Sequence, residues 1–253
     1  QKHSKTKQIM TQSVLEIKRD CQTSTTLAKH EQLLAHTLGD PSGLHFQFLS
    51  GGRLHAVRYG AEFSLNLMLG CPLSGSLQRL YVELDTAEQR RVVTVMGPGS
   101  QAEFAMDASR AQWRVVDGDT TIVTTLRIHD SGKGWDLIVA VDNQADAPFT
   151  WRAFHGLDVG LSHVGALRIN EAYVSQYLDH RALDHADYGK VVASRQNLEV
   201  DGKHPVLLQA CLSGCEELAT DGRDVFGGPL ERSNLLPLRM REGSQRMPGV
   251  KQG

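Results

Sequence analysis

Leu44-His45-Phe46-Gln47-Phe48-Leu49-Ser50-Gly51-Gly52-Arg53-Leu54-His55-Ala56-Val57-Arg58-Tyr59 is the stretch that decides the fold class. Leu44, Phe46 and Phe48 alternate with His45 and Gln47, the period of a half-buried strand. Ser50-Gly51-Gly52 supplies tight-turn chemistry, and the alternation resumes from Arg53 to Tyr59, so the stretch predicts a β-hairpin. The same grammar recurs downstream. Trp113 to Val116 runs into Asp117-Gly118-Asp119, after which Ile122, Thr124, Leu126 and Ile128 share one face. Further strands are expected at 63–69, 80–84, 91–96, 149–153, 188–194 and 206–212, with Gly97-Pro98-Gly99-Ser100 as a turn. Asp136-Leu137-Ile138-Val139-Ala140-Val141-Asp142 is apolar at consecutive positions, as a strand covered on both faces would be.

No segment from 44 to 225 carries a sustained 3.6-residue apolar period, and turn signals recur about every ten to fifteen residues, the mark of a sandwich or barrel. The expected class is all-β, a two-layer antiparallel sandwich. Residues 1–39 are polar, with Leu27, Leu33, Leu34 and Leu38 at helical spacings, and are expected to form a linker or short helix. Residues 40–228 form the sandwich domain. Residues 229–253, rich in Arg, Gly, Pro, Ser and Met, read as an irregular tail.

Composition narrows the function classes. The 253 residues are 40% hydrophobic and 22% charged, with a formal net charge of −2. That balance gives no reason to expect nucleic acid as a partner. No run approaches the roughly 18–20 apolar residues that span a bilayer, so no membrane partner is expected. The basic start, Gln1 to Lys7, is followed by no apolar core of a secretory signal. Cys21, Cys71, Cys211 and Cys215 fit reduced thiols, which makes the cytoplasm the expected location.

The sequence contains no GxGxxG after a strand, no GxxxxGK[ST], no HExxH and no GxSxG. No cofactor is expected. His180 and His185 lie among Asp179, Asp184 and Asp187, but ordinary solvated side chains explain that cluster more simply than a metal site. Glu62, Asp158, Glu171 and Asp179 are available as carboxylates, and spacing singles out none of them as a general acid. The most informative segment is Asn170 to His180. Taken as a strand, it puts Glu171, Tyr173, Ser175, Tyr177 and Asp179 on one face, with Ala172, Val174, Gln176 and Leu178 on the other. Two aromatic rings flanked by hydrogen-bonding groups are what a sugar needs: a flat apolar face and directional partners for its hydroxyls. An amphipathic strand with its phenols in solvent is the plainer alternative. Arg195, Gln196, Asn197 and His204 lie on polar stretches that could border the same place.

Gly43 to Leu49 with Gly52-Arg53-Leu54, Asn66 to Leu73, Met96 to Ser100, Asp158 to Leu161, Asn170 to His180, Ser194 to Asn197, His204-Pro205 and Ala219 to Gly222 together carry a resemblance. Over residues 43–228 the chain resembles the N-terminal domain of phosphorylases in glycoside hydrolase family 94. The likeness is greatest to the 1,2-β-oligoglucan phosphorylases; cellobiose phosphorylases and cyclic β-1,2-glucan synthases are more distant. The resemblance implies a galactose-mutarotase-like β-supersandwich, two large antiparallel sheets face to face. In that family a helical linker and an (α/α)6 barrel follow, and the barrel carries the catalytic acid. A chain ending at Gly253 leaves no room for it, so the expectation is a fragment without the barrel and not active alone, and no catalytic residue is carried over.

Three functions stay open. The first is a carbohydrate-binding accessory domain for a β-glucan or gluco-oligosaccharide. It would use Tyr173 and Tyr177 for stacking, with Glu171, Gln176, Asp179, Arg195, Gln196, Asn197 and His204 for hydrogen bonds. The second is a purely structural domain that packs on a barrel or a homodimer partner. The third is a mutarotase-like sugar epimerase, which needs a carboxylate and a histidine converging in one cleft.

Overall fold

Alternating apolar residues leave the chain few choices but paired strands, and sixteen form among the described residues. The computed structural model describes residues 6–13, 34–70, 77–86, 89–145, 148–221 and 225. The strands are β1 (Thr6–Ser13), β2 (Leu34–Gly39), β3 (Leu44–Leu49), β4 (Leu54–Tyr59), β5 (Phe63–Ser64), β6 (Gln78–Asp85), β7 (Arg90–Met96) and β8 (Glu103–Met106). There follow β9 (Arg110–Asp117), β10 (Thr120–Ile128), β11 (Gly134–Asn143), β12 (Thr150–Leu157), β13 (Ser162–His163), β14 (Leu178–His185), β15 (Gly189–Gln196) and β16 (Val206–Cys211). One helix, α1 (Val164–Ser175), interrupts them.

An eight-stranded sheet runs β14-β15-β16-β1-β11-β10-β9-β8, a five-stranded sheet β13-β5-β4-β3-β2, and a three-stranded sheet β12-β6-β7. The pairings are antiparallel. The all-β sandwich read from alternation is the fold. Both predicted hairpins form, as β3–β4 and β9–β10, and β11 is an interior strand flanked by β1 and β10.

One hydrophobic cluster draws on all three sheets. Phe46 of β3 meets Trp135 of β11 edge to face at 5.2 Å, and Phe48 meets Trp113 of β9 likewise at 5.7 Å. Each such ring removed from water contributes roughly 1.5–3 kcal/mol before its packing geometry is counted. Leu80, Val82 and Leu84 of β6 and Val93 and Val95 of β7 join the same cluster. The Ser50-Gly51-Gly52 turn is locked into it as well. Trp113 Nε1 donates to the Gly52 carbonyl at 3.0 Å, and a Cβ on Gly52 (φ +74°) would fall 2.2 Å from the Phe104 ring.

Three expectations are corrected. The helix or linker expected over residues 1–39 is instead strand at Thr6–Ser13 and Leu34–Gly39, with β1 inserted between β11 and β16. Leucine spacing mimicked a helical stripe, but Leu38 is buried within β2, opposite Phe46 of β3. Leu27, Leu33 and the tail at 229–253 lie outside the described residues. The second correction is α1, where no helix was expected. Asn170 has extended backbone (φ −161°, ψ 87°), which splits α1 into two short helical stretches too brief to show a period. The strand expected at 63–69 is reduced to Phe63–Ser64. No helix among the described residues is long and apolar enough to cross a membrane.

Candidate functional site

Several of the family-like motifs, scattered along the sequence, are fastened to one another by buried polar side chains: Asn66–Met68 to Asp158–Gly160, and Gly160 and Val174 to Gln196. Asn66, fully buried, accepts the Val57 N–H through Oδ1 at 2.6 Å and donates from Nδ2 to the Asp158 carbonyl at 2.9 Å. The Asp158 carboxylate accepts the Met68 N–H at 2.9 Å. Burial raises its pKa, and the Met68 and Leu67 amides oppose that shift. Gly160 donates to the Leu65 carbonyl at 2.7 Å; a Cβ there would lie 2.6 Å from the Asn66 carbonyl oxygen. Leu161 follows at φ +52°, an uncommon conformation for a fully buried leucine. Gln196, also fully buried, donates from Nε2 to the carbonyls of Gly160 (3.1 Å) and Val174 (3.3 Å), and its Oε1 accepts the Leu198 N–H at 2.9 Å.

Above this framework lie the residues singled out from sequence, but not as a strand face. Asn170 caps the second half of α1: its Oδ1 accepts the Tyr173 N–H at 2.9 Å, the geometry of an N-cap. Glu171 and Tyr173 are therefore helical, Gln176 ends the helix, Tyr177 follows, and Asp179 is already in β14. The single row of Glu171, Tyr173, Ser175, Tyr177 and Asp179 does not exist. Ser175 turns back to the Ala172 carbonyl at 2.8 Å. What survives is the ring pair. Tyr173 and Tyr177, both exposed, have centroids 5.0 Å apart and planes at 58°. A hydrogen bond between their hydroxyls raises the Tyr177 pKa.

The remaining candidates converge here through the backbone. Asn197 donates its N–H to the Tyr177 carbonyl at 2.8 Å, and Gln196 donates its own to the Pro205 carbonyl at 3.0 Å, beside exposed His204. Arg195 sits opposite Asp179 across β14–β15, while Asp179 accepts from Arg181 at 2.9 Å. Gln196 is a correction: its amide is committed to the backbone, so it positions the corner and is not a surface contact. His180 bonds Ser194 Oγ at 2.9 Å, and burial lowers its pKa. Among the described residues no three His, Cys, Asp or Glu side chains form a group that could hold a metal ion.

Several polar groups escaped the sequence reading. The Asn66–Asp158 fastening and the His163–Asp201 pair (3.2 Å) join segments too distant for spacing arguments. Glu83 is buried in β6 between Arg90 (Nε 2.7 Å) and Arg152 (Nε 3.1 Å). Burial alone would raise its pKa, but the hydrogen bonds and charge of those arginines outweigh it and hold the carboxyl low. A charged residue inside the apolar run Leu80–Leu84 was the signal available for it.

Among the described residues neither Glu171 nor Asp158 hydrogen-bonds a histidine; the Asp158 carboxylate accepts the Met68 N–H instead.

The chain is 27% identical over 166 residues to a protein described as 1,2-beta-oligoglucan phosphorylase from Listeria innocua serovar 6a (strain ATCC BAA-680 / CLIP 11262). The aligned stretch is 66% of this chain but only 14% of that protein. A family model described as the SOGP N-terminal domain matches residues 47–246, beginning within β3 and running past Gly228, where the family-like pattern was expected to stop. With most of its length inside that match, the chain belongs to the SOGP N-terminal domain family.

Proposed function

We propose that this sandwich is a carbohydrate-binding accessory module of a β-glucan phosphorylase-type protein, and that its ligand is a β-linked glucan or gluco-oligosaccharide. One observation carries the reading: the exposed Tyr173–Tyr177 ring pair, whose helix end is held by buried Gln196. In this reading Glu171, Gln176, Asp179, Arg195, Asn197 and His204 supply the polar contacts. One ring offers a stacking face, and the side chains around it offer donors and acceptors of both charge signs for hydroxyls. The name of the Listeria relative supports the choice of glucan. Phosphorolysis belongs, in this reading, to a larger protein, because the alignment spans so little of that relative. Isothermal titration of the chain with β-1,2-linked gluco-oligosaccharides tests it, and no heat at millimolar sugar removes it.

A second reading has its own support. Val116, Leu183 and Leu208 are exposed, and their strand positions put them on the face of the eight-stranded sheet opposite Val115, Ile122 and Leu207 of the core. An apolar sheet face of this kind suits packing against another domain or a second copy. Concentration-dependent dimers whose formation is unaffected by sugar and lost on Leu208→Asp would favour it.

A further inference from the structure

Most arginines of the sandwich meet a carboxylate: Arg90 and Arg152 meet Glu83, Arg91 meets Asp117, and Arg127 meets Asp136. Two do not. Among the described residues no carboxylate pairs with Arg58 of β4 or with Arg168 of α1.

Strand register explains where Arg58 is held. Val57 belongs to the core, so Arg58, next along β4, faces the other side of the five-stranded sheet. There it lies in one row with His45 of β3, Ser64 of β5 and Ser162 of β13. Those three are 3%, 2% and 3% exposed, so the row is polar yet shielded from water. Two of them are committed to the backbone: His45 Nδ1 lies 3.1 Å from the Gly43 carbonyl, and Ser64 Oγ donates to the Asn66 carbonyl at 3.0 Å. Asp40 acts on His45 by its charge.

Arg58 is not committed in this way. One terminal nitrogen donates to the Ala61 carbonyl at a long 3.4 Å, and its buried Nε has no acceptor among the described residues. A buried guanidinium nitrogen without an acceptor is uncommon in folded proteins and needs an explanation. The Arg168 guanidinium is near enough to be felt: burial lowers the Arg58 pKa, and the Arg168 charge lowers it further. Two like charges held close, with no acid between them, repel and attract an anion.

We propose that Arg58 and Arg168 form a binding site for a dianion of the phosphate class, gripped by the terminal nitrogens of the two guanidiniums. A carboxylate would neutralise only one of the two charges. A phosphate group carries about −1.5 to −2 near neutral pH, and its oxygens suit the paired donors of a guanidinium fork. Free phosphate and a phosphate monoester share this chemistry. The site is independent of the sugar reading, because Arg168 and Tyr173 lie on opposite sides of the break in α1 at Asn170.

The test is titration calorimetry of the full chain with inorganic phosphate and with methyl phosphate, at an ionic strength held constant by sodium chloride. Saturable binding is expected for at least one of them, and the tighter ligand names the source. Sulfate should compete, and acetate should bind far more weakly. Arg168→Gln, at an exposed position, should weaken binding roughly tenfold or more. Arg58→Lys keeps the charge but removes the fork, and a similar loss is expected. Arg53→Gln, which removes an exposed charge just before β4, should leave binding unchanged. No heat from either ligand at tens of millimolar overturns the proposal. So does acetate binding as tightly as phosphate, unchanged affinity in Arg168→Gln, or equal weakening in Arg53→Gln and Arg168→Gln.

Discussion

Gln196 Nε2 lies 3.1 Å from the Gly160 carbonyl oxygen and so ties the end of β15 to the loop that follows β12. The same nitrogen reaches Val174, so one buried amide joins three segments that are far apart in sequence. Gln196→Ala would take away the side-chain donor to the buried Gly160 carbonyl, leave the Val174 carbonyl with only the Tyr177 N–H, and remove the acceptor for Leu198. Its expected loss is about 2–4 kcal/mol, from a penalty of about 1–3 kcal/mol per unsatisfied group. Urea unfolding measures it. A loss under about 0.5 kcal/mol would mean that the amide is not holding the corner.

Gly160→Ala tests the same corner by steric means. Its Cβ would come within 2.6 Å of backbone atoms of Asn66 and Leu67, and backbone cannot yield as a side-chain tip can. An overpacking cost of about 1–3 kcal/mol is expected. Gly165→Ala, where nothing lies within 4 Å, should be neutral or slightly stabilising and serves as the control.

The Glu83 ion pairs predict an asymmetry between variants. Arg152→Ala removes one of two guanidinium partners from a buried carboxylate, for an expected loss of about 1.5–3 kcal/mol. Arg114→Ala removes an exposed pair with Glu103 (3.3 Å) and should change stability by less than about 1 kcal/mol. Equal effects in chemical denaturation would contradict the assignment of Glu83 as buried and dependent on its partners.

Acid should weaken the fold through His155. Desolvation pushes its pKa to about 4, from the ordinary 6.5, and its Nε2 faces Gln78 Nε2 at 3.0 Å, an arrangement that suits a neutral ring accepting from the amide. Between those values the unfolded chain binds more protons, so stability rises with pH through this window. The contribution is complete above about pH 6.5 and is lost as pH falls toward 4, with a slope of at most about 1.4 kcal/mol per pH unit. Burial lowers His45 and His180 in the same sense. Glu83, whose pKa is held low, adds stability that falls at still lower pH. His155→Gln should flatten the profile between pH 4 and 6.5, and an unchanged slope would refute the role given to His155.

Period and turn chemistry made most of the sandwich legible. Phe46 and Phe48 alternate because β3 buries one face, and Gly51-Gly52 marks the turn because Gly52 packs against Phe104. The same logic failed at Asn170–His180. Asn170 is an N-cap, a local hydrogen bond to the Tyr173 amide, and alternation cannot detect a cap between two short helical stretches. Leu34 and Leu38 misled in the opposite direction: both lie in β2, where a register shift separates Leu34 from His36, so their four-residue spacing is no mark of a helix. At the site, residue types were legible and their roles only in part. Tyr173 and Tyr177 are exposed and adjacent, whereas Gln196, equally polar in sequence, is buried beneath them. Burial depends on which segments pack overhead, and no local pattern carries that information.

The central claim is that the Tyr173–Tyr177 corner binds a β-linked gluco-oligosaccharide, and titration calorimetry of the full chain with β-1,2-linked gluco-oligosaccharides tests it most directly. The account predicts saturable binding that weakens roughly tenfold or more, about 1.4 kcal/mol, in both Tyr173→Ala and Tyr177→Ala. Binding should be unaffected in Tyr188→Ala, whose exposed ring stacks on His185 at 4.7 Å, in the turn between β14 and β15. Absence of binding at millimolar sugar, or equal loss in all three variants, would contradict it.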